Sequence, residues 1–147
     1  MRLTDMLRGE HAVFGALFDE IEEMASFAGE LAQIESAMTV LSTEVKSHAS
    51  LEEKLLFPAL EPHLETGELV TEMLSEHEQI QSGLGRIENA RGLDEAIEAV
   101  RQTLAIARNH FKNEEEKFYA LAEEVLDDET LIELGEAWAT AHAVKRG

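Results

Sequence analysis

The segment VRQTLAIARNHFKNEEEKFYALAEEV, residues 100–125, decides the fold. It holds no glycine or proline, and Val100, Leu104, Ala107, Phe118, Leu121 and Val125 recur at alternating steps of three and four. That spacing is one face of an amphipathic helix aimed at a core. Two turns of the same face carry His110 and Glu114 instead of apolar residues.

Working outward, the same pattern appears three more times. HASLEEKLLFPAL, residues 48–60, lies on a stripe running Leu41, Val45, His48, Glu52, Leu55, Ala59. The N-terminal stripe is Leu3, Leu7, His11, Phe14, Phe18, Ile21, Ala25, and the third is Val70, Met73, His77, Ile80, Leu84, Ile87. The predicted helices cover about 4–27, 31–57, 68–90, 94–125 and a short fifth at 129–143. Thr4 or Asp5 is the expected cap of the first, Ala28-Gly29 its end, Pro58 and Pro62 the end of the second, and Gly92 the break before the fourth. Four long helices with short connections predict an all-α, up-and-down antiparallel four-helix bundle with a short C-terminal helix. At 147 residues the chain is expected to be one domain, 1–147.

Each long helix thus brings one histidine to its buried stripe, and the second and fourth add a glutamate one turn later on the same face. A helix rise of about 1.5 Å per residue, counted from the helix ends, puts all six groups in one layer. Burying an unpaired carboxylate or imidazole costs several kcal/mol unless it is hydrogen-bonded, charge-paired or bound to metal. Six such groups in one core predict a metal site on His11, His48, Glu52, His77, His110 and Glu114. His-x-x-x-Glu alone is a weak signal in a chain this rich in glutamate. The conjunction of stripes, one histidine per helix and a shared depth carries the prediction.

The remaining polar and aromatic residues have plainer readings. His63 and His142 fall outside the layer and are expected at the surface. Glu53, Glu115 and Glu116 turn off the stripe toward solvent, Tyr119 is expected to pack or face the surface, with a redox or hydrogen-bond role near the site as the alternative, and Trp138 to anchor the fifth helix with Leu131 and Leu134. Four imidazoles and two carboxylates divide into His11 with His48 and His77 with His110, bridged by Glu52 and Glu114. Such a set suits iron, manganese or zinc and is too rich in nitrogen for calcium or magnesium.

Composition removes other classes. A formal net charge of -19 disfavours nucleic acid and anionic membrane as partners. The absence of cysteine excludes disulfides, thiolate catalysis and thiolate-held clusters. No stretch reads as a signal peptide or a membrane span, so a cytoplasmic location is the expectation.

Together, His11, HASLEEKLLFPAL, His77 and HFKNEEEKFYALAEE resemble the hemerythrin-like family, the HHE cation-binding domain, over most of the chain. The resemblance implies a non-haem di-iron centre with an oxo or hydroxo bridge and chemistry with O₂, NO or peroxide in redox or nitrosative stress. Oxygen-carrying members have His-x-x-x-His on the third helix and end with His-x-x-x-x-Asp. Here Met73 stands at the first of those positions and Glu114 follows His110 by four, which points to members with two histidines per iron. The position left by Met73 is expected to open the His77/His110 metal to a small ligand, with Met73 packing.

The leading function is therefore a di-iron protein for a diatomic or peroxide ligand, served by an electron donor outside the chain and walled from water by Phe14, Phe111 and Phe118. An iron- or oxygen-responsive sensor without turnover, and an acidic helical interaction domain with no metal, are the alternatives.

Overall fold

The computed structural model describes the backbone of residues 1–146 and the side chains through His142. In chain order the elements are α1 (Leu3–Phe27), α2 (Leu31–Leu51), a π-helical turn (Glu52–Leu56), α3 (Phe57–Leu60) and a 3₁₀ turn (Glu61–His63). They continue with α4 (Glu68–Glu88), α5 (Leu93–Asn113), a second π-helical turn (Glu114–Tyr119), α6 (Ala120–Val125) and α7 (Asp128–Arg146). Residues 31–63 and 93–125 are each one continuous helical run, so the described residues form five helices and no strand. None of them is long and apolar enough to cross a membrane.

The apolar stripes of α1 and α4 are buried at every expected position. In the other two long helices the stripe is right up to Glu52 in one and Phe118 in the other, and then slips by one residue. Leu56 and Leu60 are fully buried where Leu55 and Ala59 were expected, and Ala122 and Leu126 replace Leu121 and Val125. The cause is the π turn that begins at Glu52 in one helix and at Glu114 in the other. An i→i+5 turn inserts one residue and rotates everything after it. It turns Phe57 and Tyr119 into the interior as well.

Other boundaries differ for identifiable reasons. α1 starts at Leu3 with no side-chain cap, and Thr4 is instead buried, its hydroxyl donating to Glu123 at 3.2 Å. Pro58 does not end the second helical run, which continues to His63. It follows directly on the turn closed by Phe57 N–H to Glu52 O, where the regular ladder is already interrupted. At Gly83 of α4 an added Cβ would collide with Thr103 of α5, so glycine here permits close approach of those helices.

Two apolar clusters fill the interior. One contains Phe14, Phe18, Ile34, Leu41, Ile80, Leu84, Val100 and Leu104. The other contains Leu3, Leu7, Leu56, Leu60, Met73, Phe118 and Leu131. Along each long helix the histidines and glutamates fall between the two sets. Trp138 packs in the second cluster with Leu131 and Leu134, as expected, and seats α7.

Candidate metal centre

His11 of α1, His48 of α2, His77 of α4 and His110 of α5 are 2–5% exposed, and Glu52 and Glu114 are 1% and 0%. All six predicted side chains are therefore interior, and their inward atoms meet. His11 Nε2 lies 3.1 Å from His48 Nε2 and 3.2 Å from Glu114 Oε1. His110 Nε2 lies 3.1 Å from Glu114 Oε1, and Glu52 Oε1 lies 3.4 Å from both His48 Nε2 and His77 Nε2.

Two overlapping sets of donors emerge. Glu52, His77, His110 and Glu114 place one ligand atom each within 4.8 Å of one another, and so do His11, His48 and Glu114. The histidines divide as the sequence predicts. Glu114 belongs to both sets, whereas Glu52 belongs only to the first.

The outer ring nitrogens explain how the inner ones are aimed. His48 Nδ1–H donates to Glu10 Oε1 at 2.9 Å, and His110 Nδ1–H donates to Glu76 Oε1 at 2.7 Å. A carboxylate on Nδ1 leaves Nε2 as the lone-pair donor and fixes the ring's orientation. Glu115 and Glu53 approach the outer nitrogens of His11 and His77 at 3.6 and 3.7 Å. Both glutamates are only partly exposed, so their outward turn still leaves them beside the ligand rings.

Apolar rings wall the layer. Phe111 stacks on His11 with centroids 4.0 Å apart, Phe14 meets His48 edge-on, and Phe57 stacks on His77. Phe118 is fully buried against Phe57. One narrow crevice, with about 10 Å³ of room for the centre of a water-sized molecule, reaches His48, His77 and His110 past Val45, Ala49, Ile80, Leu84 and Phe111.

Tyr119 packs in the interior and is a hydrogen-bond partner beside the site, the second of the roles its sequence position allowed. It is fully buried, and its hydroxyl donates to Glu52 Oε2 at 2.6 Å while lying 3.1 Å from His11 Nε2. The π turn put it there. His63 is exposed, as expected, while His142 is half-buried and stacked on Trp138 at 4.7 Å.

Electrostatics within the layer are strongly coupled. Burial and the neighbouring Glu114 push Glu52 up to about 7. Burial also opposes charge on Glu114, yet Glu52 and the imidazoles of His11, His110 and His77 gathered around it hold it well below the usual carboxylate range. Burial would lower His77, but Glu114 and Glu52 outweigh it and raise the ring to about 10. His11, by contrast, is lowered by its burial.

Whether such a layer suits a metal is answered by its unpaired atoms. Glu52 Oε1, His77 Nε2, His110 Nε2 and Glu114 Oε2 are buried without a hydrogen-bond partner. A purely structural network would satisfy them. Nitrogen and oxygen donors about 3.1–3.4 Å apart are the edges expected of a coordination shell with bonds of about 2.0–2.2 Å. The residues fit metal ions.

The second-layer glutamates were legible in hindsight. Glu10-His11 and Glu76-His77 repeat the same dipeptide, and HASLE-EKLLF repeats as HFKNE-EEKFY, so positions 48–57 correspond to 110–119. The family model described as the hemerythrin HHE cation-binding domain matches residues 2–122. No curated protein and no solved structure matches the chain.

Proposed function

The chain belongs to the hemerythrin HHE cation-binding domain family, and on that premise we propose that it is a non-haem di-iron protein that binds or reacts with O₂, NO or peroxide under redox or nitrosative stress. His11, His48 and Glu114 would hold one iron, and His77, His110, Glu52 and Glu114 the other. We place this in one domain, 1–147, whose long helices alternate in direction, a reading supported by the three residues between α1 and α2 and the four between α4 and α5.

The observation that carries the proposal is a buried layer in which Glu52, His77, His110 and Glu114 each keep an inward atom without a hydrogen-bond partner, reached by a narrow crevice at His48, His77 and His110. When bound, two irons supply reversible one-electron chemistry toward a small oxidant. The chain's own groups do the rest. Glu10 and Glu76 hold His48 and His110 with their inner nitrogens facing the layer. Phe14, Phe111 and Phe118 exclude water, which strengthens every charge interaction inside. The crevice past Ala49 would lead a diatomic or peroxide to the layer, where it meets His48, His77 and His110, and is too narrow for a larger substrate. Electrons for turnover would come from a donor outside the chain.

Protein reconstituted anaerobically with Fe(II) is expected to change its near-ultraviolet absorption on exposure to O₂, peroxide or NO. Ala49→Phe should slow that change with iron content unaltered. Iron-loaded protein that responds to none of the three would overturn the proposal.

A further inference from the structure

The two donor sets are unequal. The His77 half has four protein donors and the His11 half three. We propose that Tyr119 supplies the missing one, its phenolate oxygen ligating the metal held by His11, His48 and Glu114. This rests on the two-metal reading above.

Geometry comes first. Tyr119 Oη lies 3.1 Å from His11 Nε2 and 3.4 Å from Glu114 Oε1, while His11 Nε2 lies 3.1 Å from His48 Nε2 and 3.2 Å from Glu114 Oε1. These are separations of neighbouring ligands on one ion with bonds of about 2.0–2.1 Å. Tyr119 is the one phenol in the chain and has no exposed surface.

Hydrogen counting points the same way. The hydrogen of Tyr119 is committed to Glu52 Oε2 at 2.6 Å, and that of neutral His48 to Glu10. At most one hydrogen on His11 Nε2 remains to separate lone pairs on His48 Nε2, Glu114 Oε1 and Tyr119 Oη. One hydrogen cannot serve three acceptors at once, and a cation can. Forming the bond replaces O–H by O–metal, with the proton released to solvent.

Without a cation, burial and the carboxylates of Glu114 and Glu52 keep this phenol protonated, and the ligating ion is what would displace its proton. Arg8, held by Glu123 at 2.7 Å, places its guanidinium 5.7 Å from the centre of the Tyr119 ring. At the corresponding place in the other half, Phe57 stacks on His77 with no polar atom to offer. The chain therefore carries a phenol only where a donor is lacking.

The test uses full-length protein loaded with two equivalents of Fe(II) and oxidised with ferricyanide. Resonance Raman spectra of the wild type should show tyrosinate ring modes, enhanced within a visible phenolate-to-iron(III) absorption. Tyr119→Phe should lose both, and in calorimetric Zn(II) titrations it should weaken one of two binding steps by at least about tenfold. Wild-type protein that holds two irons without tyrosinate modes overturns the inference alone. Protein that takes up no iron overturns the two-metal reading and the inference with it. The wild-type spectrum decides the matter even if the variant folds poorly.

Discussion

The half of the centre around His11 and the half around His77 are built on one plan. In each, a histidine follows a glutamate that orients a ring on another helix, and a second histidine precedes a glutamate by one turn. In each, that glutamate opens a π turn which swings an aromatic ring under the first histidine of the other half, Phe57 under His77 and Tyr119 under His11. What differs is a few side chains. Phe111 stacks on His11 where its counterpart Ala49 only lines the crevice, and Tyr119 brings an oxygen where Phe57 brings none. A shared backbone thus yields one phenol-bearing position, met by the crevice at His48 alone, and one without a phenol, met at both His77 and His110. The distinction lies in volume and polarity at two sites.

The comparison breaks most completely at the residue common to both halves. Glu114 is in both donor sets, and Glu52 only in the His77 set. Glu114→Ala is expected to abolish uptake of both ions, while Glu52→Ala retains one. Elemental analysis of iron-loaded protein reads the difference directly. Equal losses from the two variants would mean that both carboxylates bridge alike.

A smaller and half-specific effect should follow from the orienting carboxylates. Glu10→Gln keeps the shape but weakens the hold on His48, and Glu76→Gln does the same to His110. Removing such partners typically costs about 10–100-fold in metal affinity. Stepwise Zn(II) titration should show each variant weakening a different step. If both weaken the same step, the division of the histidines is wrong.

How much of this was legible depended on where along each helix one reads. Every stripe position in α1 and α4 was readable because regular helices keep the 3.6-residue phase. All six candidate ligands lie before or at the start of the π turns, so their burial was readable too. Beyond Glu52 and Phe118 the phase slips, and Leu55, Ala59, Leu121 and Val125 were each assigned a face that belongs to the next residue. For the same reason the regular phase left Tyr119 open between packing, the surface and a role beside the site. No local propensity marks the insertion, because the wide turn answers to packing around the polar layer. The repeat of residues 48–57 in 110–119 was the available signal, since it aligns Tyr119 with a ring that must be interior.

The smallest expected effect separates the halves by their protons. A ligand that carries a proton must release it before it can bind metal, so a raised pKa makes affinity climb with pH up to that value. The His77 half holds His77 at about 10, Glu52 at about 7 and a raised His110. The His11 half holds a raised His48, but burial lowers His11, and the shared Glu114 stays ionised. Each displaced proton is worth about tenfold in affinity per pH unit below its pKa. The Tyr119 proton, held by burial and the carboxylates of Glu114 and Glu52, must also leave the His11 half, so the two halves respond alike above about pH 7, and acid should weaken the His77 half more steeply only below that, as Glu52 protonates. Zn(II) titrations across neutrality, with the steps assigned through Glu10→Gln and Glu76→Gln, measure the two slopes. Diverging affinities would show that the halves differ in chemistry as well as in access, and parallel slopes would reduce their difference to the crevice and the phenol.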